Sequence, residues 1–400
     1  MTLSQGRGYL AIPGPSVIPD AVLQAMHQAA PNIYEGPLID LTKSIVEDLK
    51  WAACSTQHVA IYIANGHGAW EAALANIAEP GDKVLVAATG RFGHGWAEMA
   101  RRMGIGVKLI DFGMQSMAEP AQIAQALKDD RDGQIKAVLI CHVDTSTSVR
   151  NDILQVRQAM NAVDHPALLA VDCIASLACD RFEFDAWGVD VMVAGCQKGL
   201  MVPPGLSFVF FSEQAAKRQK ALRHVSSYWD WAPRVAPQLF YEYFCGTAPT
   251  HHLFGLRIAL DMLKDEGLPH IWARHETLAQ AIWSAVDIWG QAGGTMALNI
   301  TDPAQRSHAV TAMHMGVPTT QNLRQWLEQN TGVTVGIGLG MSTPKDPDGK
   351  GFFRFGHMGH VNAQMIMALL GSVEAGLCAL SLPHGAGALE AAARVIGSTR

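Results

Sequence analysis

Charge is scarce in this chain. Asp, Glu, Lys and Arg make up 16% of its 400 residues, while 49% are apolar. That balance suits a well-buried globular protein, often an oligomer. The formal net charge is −6 and no long block of like charge occurs. The electrostatic footprint of a nucleic-acid or membrane-surface binder is therefore missing. Long apolar runs are missing too: Leu206-Ser-Phe-Val-Phe-Phe211 has the length of a strand, not of a membrane span. Cysteines are few and scattered, at Cys54, Cys141, Cys173, Cys179, Cys196, Cys245 and Cys378, with no CxxC pair. Neither a zinc site nor a disulfide framework is suggested, and no metal is expected. The first residues, Met1-Thr-Leu-Ser-Gln-Gly-Arg-Gly8, hold no hydrophobic signal core, so a cytoplasmic location is expected.

A length of 400 residues exceeds what one core usually serves, so two domains are expected. Up to about Ser212, short apolar runs alternate with helical stretches. Strands are predicted at 58–64, 84–87, 107–110, 137–141, 167–172 and 191–195, and at Leu206–Phe211. Helices are predicted from about Ala69, over Phe92–Met103, over Ala121–Lys128 and over Asp152–Val163. Buried strands separated by helices imply a mainly parallel sheet covered on both faces. The pattern then changes. A long helical stretch spans about His252–Ala292, broken at Glu266-Gly-Leu-Pro269. A smaller α+β region follows: a strand near Ala309–His314, a helix at Gln321–Asn330, a Gly-rich loop at Gly336–Gly340, a strand at Gly351–Gly356 and a helix near Ala363–Leu380.

The chemistry centres on Lys198, directly after the apolar run Val191-Met-Val-Ala-Gly195. Burial at a strand end favours the neutral amine, the form that attacks an aldehyde. A lone lysine there could simply snorkel to water; its company argues otherwise. Asp172 closes another apolar run, and a buried carboxylate needs a cationic partner. It precedes Lys198 by 26 positions, room for one loop and one strand, which brings both to one sheet edge. Asn65-Gly-His-Gly68 forms a Gly-rich turn before a helix, suited to an anion. Phe92 follows another strand, where its ring could stack on a flat ligand or belong to the core. A carboxylate for a ring nitrogen, a lysine for an aldehyde and an anion turn together describe a pyridoxal phosphate site. Arg354 interrupts the strand Phe352-Phe-Arg-Phe355 and suits a carboxylate, from a substrate or from a core Asp or Glu.

At these residues the chain resembles the fold-type I, class V aminotransferases, and within them the serine–glyoxylate and alanine–glyoxylate enzymes. The likeness runs through Pro13-Gly-Pro-Ser-Val-Ile-Pro19, Gly66-His-Gly-Ala-Trp-Glu-Ala-Ala73, Asp144-Thr-Ser-Thr147, Gln197-Lys-Gly-Leu-Met-Val-Pro-Pro-Gly-Leu206, Ser227-Tyr-Trp-Asp-Trp231 and Arg354-Phe-Gly-His-Met-Gly359. The resemblance implies a large pyridoxal-phosphate domain with a mainly parallel, seven-stranded sheet between helices, and a smaller α+β C-terminal domain. Their expected bounds are 21–255 and 256–400, with residues 1–20 as a segment over the active site. It further implies a Lys198 aldimine, Asp172 on the pyridine nitrogen, Phe92 stacked on the ring and Thr145 on the ring hydroxyl. Asn65, Gly66, His67 and Gln197 would cradle the phosphate, joined by Thr247 from a neighbouring subunit of a homodimer. Arg354 would clamp the substrate carboxylate, with Gly14 and Tyr34 also at the substrate.

The implied reaction moves an amino group from a small amino acid, serine or alanine, to glyoxylate through a pyridoxamine phosphate intermediate. Val143 and Ser148 flank the Asp-Thr-Ser-Thr stretch where the family usually has Asn and Gly. Glu35 stands where a basic residue is common, and His360 replaces an acidic one. The stretch Thr343–Lys350 is longer than usual. These departures bear on the amino donor. Pyridoxamine–pyruvate and ureidoglycine–glyoxylate aminotransferases share much of the pattern and are the alternatives. A cysteine desulfurase is disfavoured because no cysteine lies between Cys245 and Cys378. A non-catalytic binding protein would not need Lys198, Asp172 and Arg354. A dinucleotide oxidoreductase would need GxGxxG after the first strand.

Overall fold

The computed structural model describes residues 3–398. The outer ends of the expected first and last segments, residues 1–2 and 399–400, lie outside them. The strands are β1 (Tyr9–Ala11), β2 (His58–Tyr62), β3 (Lys83–Ala88), β4 (Gly106–Asp111), β5 (Ile135–Cys141), β6 (Leu168–Asp172), β7 (Val191–Gly195), β8 (Ser207–Phe211), β9 (Ala297–Leu298), β10 (Val310–His314), β11 (Val333–Ile337) and β12 (Phe352–Gly356).

Seven of them form one sheet in the order β2-β8-β7-β6-β5-β3-β4. All its pairings are parallel except those of β8, which runs against both β2 and β7. Strands β6, β7 and β8 are buried at every position, as expected of a sheet with helices on both faces. Alternate residues feed two cores. Val59, Ile61, Leu85 and Ala87 face one, while Ala60, Tyr62, Val84 and Val86 face the other, the period of two that a strand imposes. Because β8 runs against both of its neighbours, β2 runs the same way as β3, β4, β5, β6 and β7. Six carboxyl ends therefore open on one edge, where α/β sheets bind their ligands.

The second sheet has the order β1-β11-β12-β10-β9 and its own core, from Leu278 to Ala392 with Ala11 added. The helix Thr250–Glu266 packs Leu253, Leu256, Ala259, Leu260 and Leu263 into a core of the larger sheet, and so do Leu268 and Ile271. The helix Leu268–Trp289 thus starts on the first body and ends in the second.

Two regions depart from the sequence expectations. The stretch read as a Gly-rich loop begins inside β11, whose Val333 and Val335 are buried. Glycine in a strand weakens the strand signal, but Gly336 is required: a Cβ there would lie 2.7 Å from Pro13 Cδ. The N-terminal segment is also more than a cover. Its β1 pairs in parallel with β11, so the chain starts in the smaller sheet before entering the larger body. No helix among the described residues is long and apolar enough to cross a membrane.

Candidate active site

The carboxyl edge of the large sheet holds a cavity of about 190 Å³ lined by Asn65, Gly66, His67, Trp70, Phe92, Thr145, Asp172, Ile174, Gln197 and Lys198. Every residue expected at the cofactor from this edge is in that lining.

Asp172 ends β6 and is 3% exposed. Its Oδ1 accepts the Ile174 N–H at 2.7 Å and its Oδ2 accepts the Trp70 indole N–H at 2.8 Å. No cation hydrogen-bonds to it among the described residues, and the Lys198 charge acts on it only as the smallest of its influences. Burial pushes its carboxyl up to about 7, against the pull of those two donors. Lys198 follows β7, the parallel neighbour of β6, in the turn that carries the chain to β8. Burial first, and the Arg354 charge second, bring its ammonium down to about 8. Its Nζ donates to the Pro13 carbonyl. Gly14 has φ +87°, and a Cβ on it would run into the Lys198 side chain. The N-terminal segment therefore lies directly on the lysine, anchored by Ser16, whose Oγ donates to the Lys198 carbonyl at 2.7 Å.

The anion turn is built as the sequence suggests, with a local difference. Asn65 caps the helix Gly66–Ile77, its Oδ1 accepting from the His67 and Gly68 N–H groups. Gly66 is glycine for packing: a Cβ there would collide with Ile174. Gln197 Oε1 is buried without a hydrogen-bond partner among the described residues. An unmet polar atom beside a helix N-terminus fits an incoming ligand that carries hydrogen-bonding groups.

Phe92 is set by a borrowed cap. The helix Arg91–Arg102 has Gly90 as its N-cap and no side-chain cap of its own. Asp144 Oδ2 instead accepts from Phe92 N and Gly93 N, at 2.9 and 3.2 Å, while Ser146 Oγ accepts from Arg91 N. A Cβ on Gly90 would meet the Asp144 carboxylate at 2.6 Å.

Arg354 lies in β12 and is 5% exposed. It donates from Nε to the Ile337 carbonyl at 2.8 Å and from one terminal nitrogen to the Thr145 carbonyl at 2.7 Å. Both bonds go to main chain, and no carboxylate pairs with it among the described residues. Burial lowers its guanidinium to about 10. The bond to Thr145 ties the smaller sheet to the wall of the cavity.

Two expected residues lie elsewhere. Tyr34 is 86% exposed and Thr247 is exposed; neither lines the cavity of this chain. Conversely, Trp70 has no role assigned from the sequence. It sits one turn into the helix, three residues past His67, and its ring meets His67 at 4.7 Å, Phe92 at 6.1 Å and Trp96 at 5.9 Å. A tryptophan at that helical spacing from an anion turn is a signal that could have marked it. Pro13 and Ile174 have no such signal, because one acts through its carbonyl and the other through its main-chain N–H and its shape. No group of three or more His, Cys, Asp or Glu able to hold a metal occurs among the described residues.

Chemically, the edge offers a buried carboxylate without a cation, an amine near neutrality, an anion turn and an aromatic wall. These features fit pyridoxal phosphate.

Comparison with known proteins agrees. The family "Aminotransferase class-V" matches residues 9–362. The chain is 35% identical over 387 residues to the serine–glyoxylate aminotransferase of Methylorubrum extorquens, covering 94% of this chain and 92% of that one. It is 32% identical to the L-aspartate–glyoxylate aminotransferase of Paracoccus denitrificans, over 96% and 94% of the two chains. Its fold matches the crystal structure of pyridoxamine–pyruvate aminotransferase from Mesorhizobium loti with a TM-score of 0.88, 24% identity and all of both chains covered. Family match, sequence relatives and fold converge: the chain belongs to the class-V aminotransferases.

Proposed function

We propose that this aminotransferase moves the amino group of a small amino acid, serine or alanine, to glyoxylate, with pyridoxal phosphate held between Asp172 and Lys198. The observation that carries the reading is the buried Asp172 carboxyl, at about 7 without a cationic partner, one strand away from an amine at about 8. Pyridoxal phosphate, when bound, supplies an aldehyde carbon for the amine and a ring that accepts an electron pair.

The chain's residues do the rest. Asp172 would hold a proton on the ring nitrogen by supplying a buried negative charge that lacks a paired cation of its own. Trp70 and the Ile174 N–H fix the direction of that carboxylate. Lys198 Nζ, largely neutral at mildly alkaline pH, takes the α-proton of the amino acid. Arg354 holds the α-carboxylate in a fork already oriented by two main-chain carbonyls. Asn65, Gly66, His67 and Gln197 would hold the phosphate, Thr145 the ring hydroxyl and Phe92 the face of the ring.

Tyr34 and Thr247 are exposed in the single chain. That exposure supports a homodimer in which Thr247 reaches the partner's phosphate; Gly14 and Tyr34 then border the substrate. We take residues 1–20 as the covering segment, 21–255 as the cofactor domain and 256–400 as the smaller domain, in a cytoplasmic enzyme. The separate cores of the two sheets support two domains.

The test is product analysis of the cofactor-loaded enzyme with glyoxylate and either serine or alanine. Glycine should form in step with the donor's keto acid, and Arg354→Ala should raise KM for donor and acceptor at least about tenfold. Absence of glycine with either donor would refute the assignment.

A further inference from the structure

Two side chains of the helix Leu268–Trp289 have no role in the account above, yet both close on one turn beside Lys198. His275 is fully buried. Its Nδ1 lies 2.7 Å from the Ile271 carbonyl, which can only accept, so Nδ1 carries the proton and donates. Nε2 is left with a lone pair and accepts from the Gly359 N–H at 3.1 Å. Burial, then the Arg274 charge, bring the imidazole down to about 3, so that lone pair stays free.

Arg274 grips the same residue from its other side. One terminal nitrogen donates to the Gly359 carbonyl at 3.0 Å and to the Val361 carbonyl at 2.8 Å. Its Nε and its second terminal nitrogen hold the two oxygens of Glu266 at 2.5 and 2.8 Å, which fixes the plane of the fork. Glu266 ends the helix Thr250–Glu266, whose apolar side packs under the larger sheet.

The pair holds the turn that leaves the Arg354 strand. Gly359 comes five residues after Arg354 and has φ +74°. A Cβ on it would sit 3.0 Å from the Lys198 carbonyl oxygen, 2.9 Å from Met201 Cγ and 3.4 Å from Ser16 Oγ. That Lys198 carbonyl accepts from Ser16 Oγ at 2.7 Å and from Met201 N at 3.1 Å. The turn, the main chain of the reactive lysine and the covering N-terminal segment thus meet at one point. The Ile337 and Thr145 carbonyls aim the Arg354 fork; the Gly359 turn is where the strand carrying it abuts the lysine.

Resting on the aminotransferase reading, we infer that His275 and Arg274 are positioning residues: by holding Gly359 against the Lys198 main chain, they set the separation between the carboxylate clamp and the reactive amine. Neither lines the cavity. A small substrate must be served at both ends at once, its carboxylate on Arg354 and its α-carbon at Lys198 Nζ. A clamp that drifts from the amine therefore costs rate even where the carboxylate still binds.

The experiment uses the cofactor-loaded wild type, His275→Leu, His275→Gln and Arg274→Lys. Leucine leaves the buried Gly359 N–H unpaired, whereas glutamine offers it an oxygen. Lysine keeps the charge of Arg274 but not the fork. Turnover of serine or alanine with glyoxylate is compared with binding of propionate, followed by the change it makes in the cofactor's visible band. Propionate offers a carboxylate to Arg354 and nothing to Lys198. In His275→Leu, kcat should fall at least about tenfold while propionate and pyridoxal phosphate affinities stay within about twofold of the wild type. The rate ratio between α-protonated and α-deuterated donor should rise, because proton transfer to Lys198 is the step made slower. His275→Gln should recover most of kcat. Arg274→Lys should fall in the same direction as His275→Leu, and it carries the test if the leucine variant does not fold. Equal loss of propionate binding and turnover would place the effect on the Arg354 fork itself and overturn the inference. A lower melting temperature with unchanged kcat and isotope ratio would reduce both residues to a structural role and overturn it alone. Turnover of no donor by the wild type would overturn it together with the function on which it rests.

Discussion

Asp172 and Asp180 are two buried carboxylates eight positions apart with opposite surroundings. Asp180 is completed by its own fold. It accepts from Ser307 Oγ at 2.9 Å and from His308 N at 2.8 Å, with Arg150 at 3.9 Å and the His308 ring at 3.5 Å. Burial would raise its carboxyl, but His308, Arg150 and His142 outweigh burial and hold it below the usual carboxylate range. Asp172 receives two neutral N–H donors and, among the described residues, no hydrogen-bonded cation; the Lys198 charge lowers it less than either donor does, and burial wins. Both are equally withdrawn from water; only Asp172 lacks a cation at pairing distance among the described residues. A fold that leaves a carboxylate in that state either bears the cost or has a ligand that removes it. Asp180 ties the loop after β6 to Ser307 and His308 before β10, and the contrast supports the proposed chemical role of Asp172.

The largest way to break this contrast is Asp172→Asn. Turnover should fall on the order of 10²–10³-fold while the fold persists, because the amide keeps the shape but not the charge. Steady-state rates and circular dichroism check this; near-normal turnover would remove Asp172 from the chemistry.

The cofactor-free protein sharpens the same point through pH. Asp172 binds its proton more tightly when folded, at about 7, than in the unfolded chain, at 3.8. Its carboxylate therefore costs nothing below pH 4 and destabilises progressively as pH rises to 7. Asp172→Asn should then be more stable than the wild type at pH 8, by up to about 4 kcal/mol, with the gain vanishing near pH 4. Urea melts across that range measure it.

Asp180→Asn should behave in the reverse sense. Its carboxyl is lowered on folding, so its stabilising contribution is complete above the unfolded value and is lost as pH falls through the folded one. At pH 8 the variant should lose about 3 kcal/mol of stability. A stability gain instead would erase the distinction between the two carboxylates.

The smallest effect expected is that of Trp70→Phe. It deletes one donor to Asp172 and keeps an aromatic ring, so turnover should fall by roughly tenfold, equivalent to one hydrogen bond to a charged group. Because Trp70 lowers the Asp172 carboxyl, the acid limb of the rate profile should move to higher pH. A purely structural tryptophan would lower the melting temperature and leave the pH profile in place.

Much of this was legible in the sequence because the large sheet is built from strands whose ends carry the chemistry. Apolar runs closed by Asp172 and followed by Lys198 can be read directly, and the parallel pairing of β6 with β7 places them on one edge. The strands at 84–87 and 137–141 fall inside β3 and β5. Three kinds of feature were less visible. The helix Pro37–Ala52 buries Leu38, Ile45 and Leu49, yet its charged residues, such as Asp40 with Lys43 and Glu47 with Lys50, form ion pairs and belong to no motif. β1 is three residues long, and its pairing with β11 depends on a partner more than 300 positions away. The contacts of Pro13, Ile174 and Gly359 arise from main-chain atoms or close approach, which side-chain identity does not encode.

The central claim, that Asp172 and Lys198 together form a pyridoxal phosphate site that transaminates, is tested most directly by the visible absorption spectrum. It should be followed in the wild type and in Lys198→Ala as pyridoxal phosphate, then an amino donor, then glyoxylate are added. The account predicts a lysine-linked cofactor band in the wild type alone, bleached by the donor and restored by glyoxylate. A band of equal strength in Lys198→Ala, or one in the wild type that no amino donor bleaches, would contradict it.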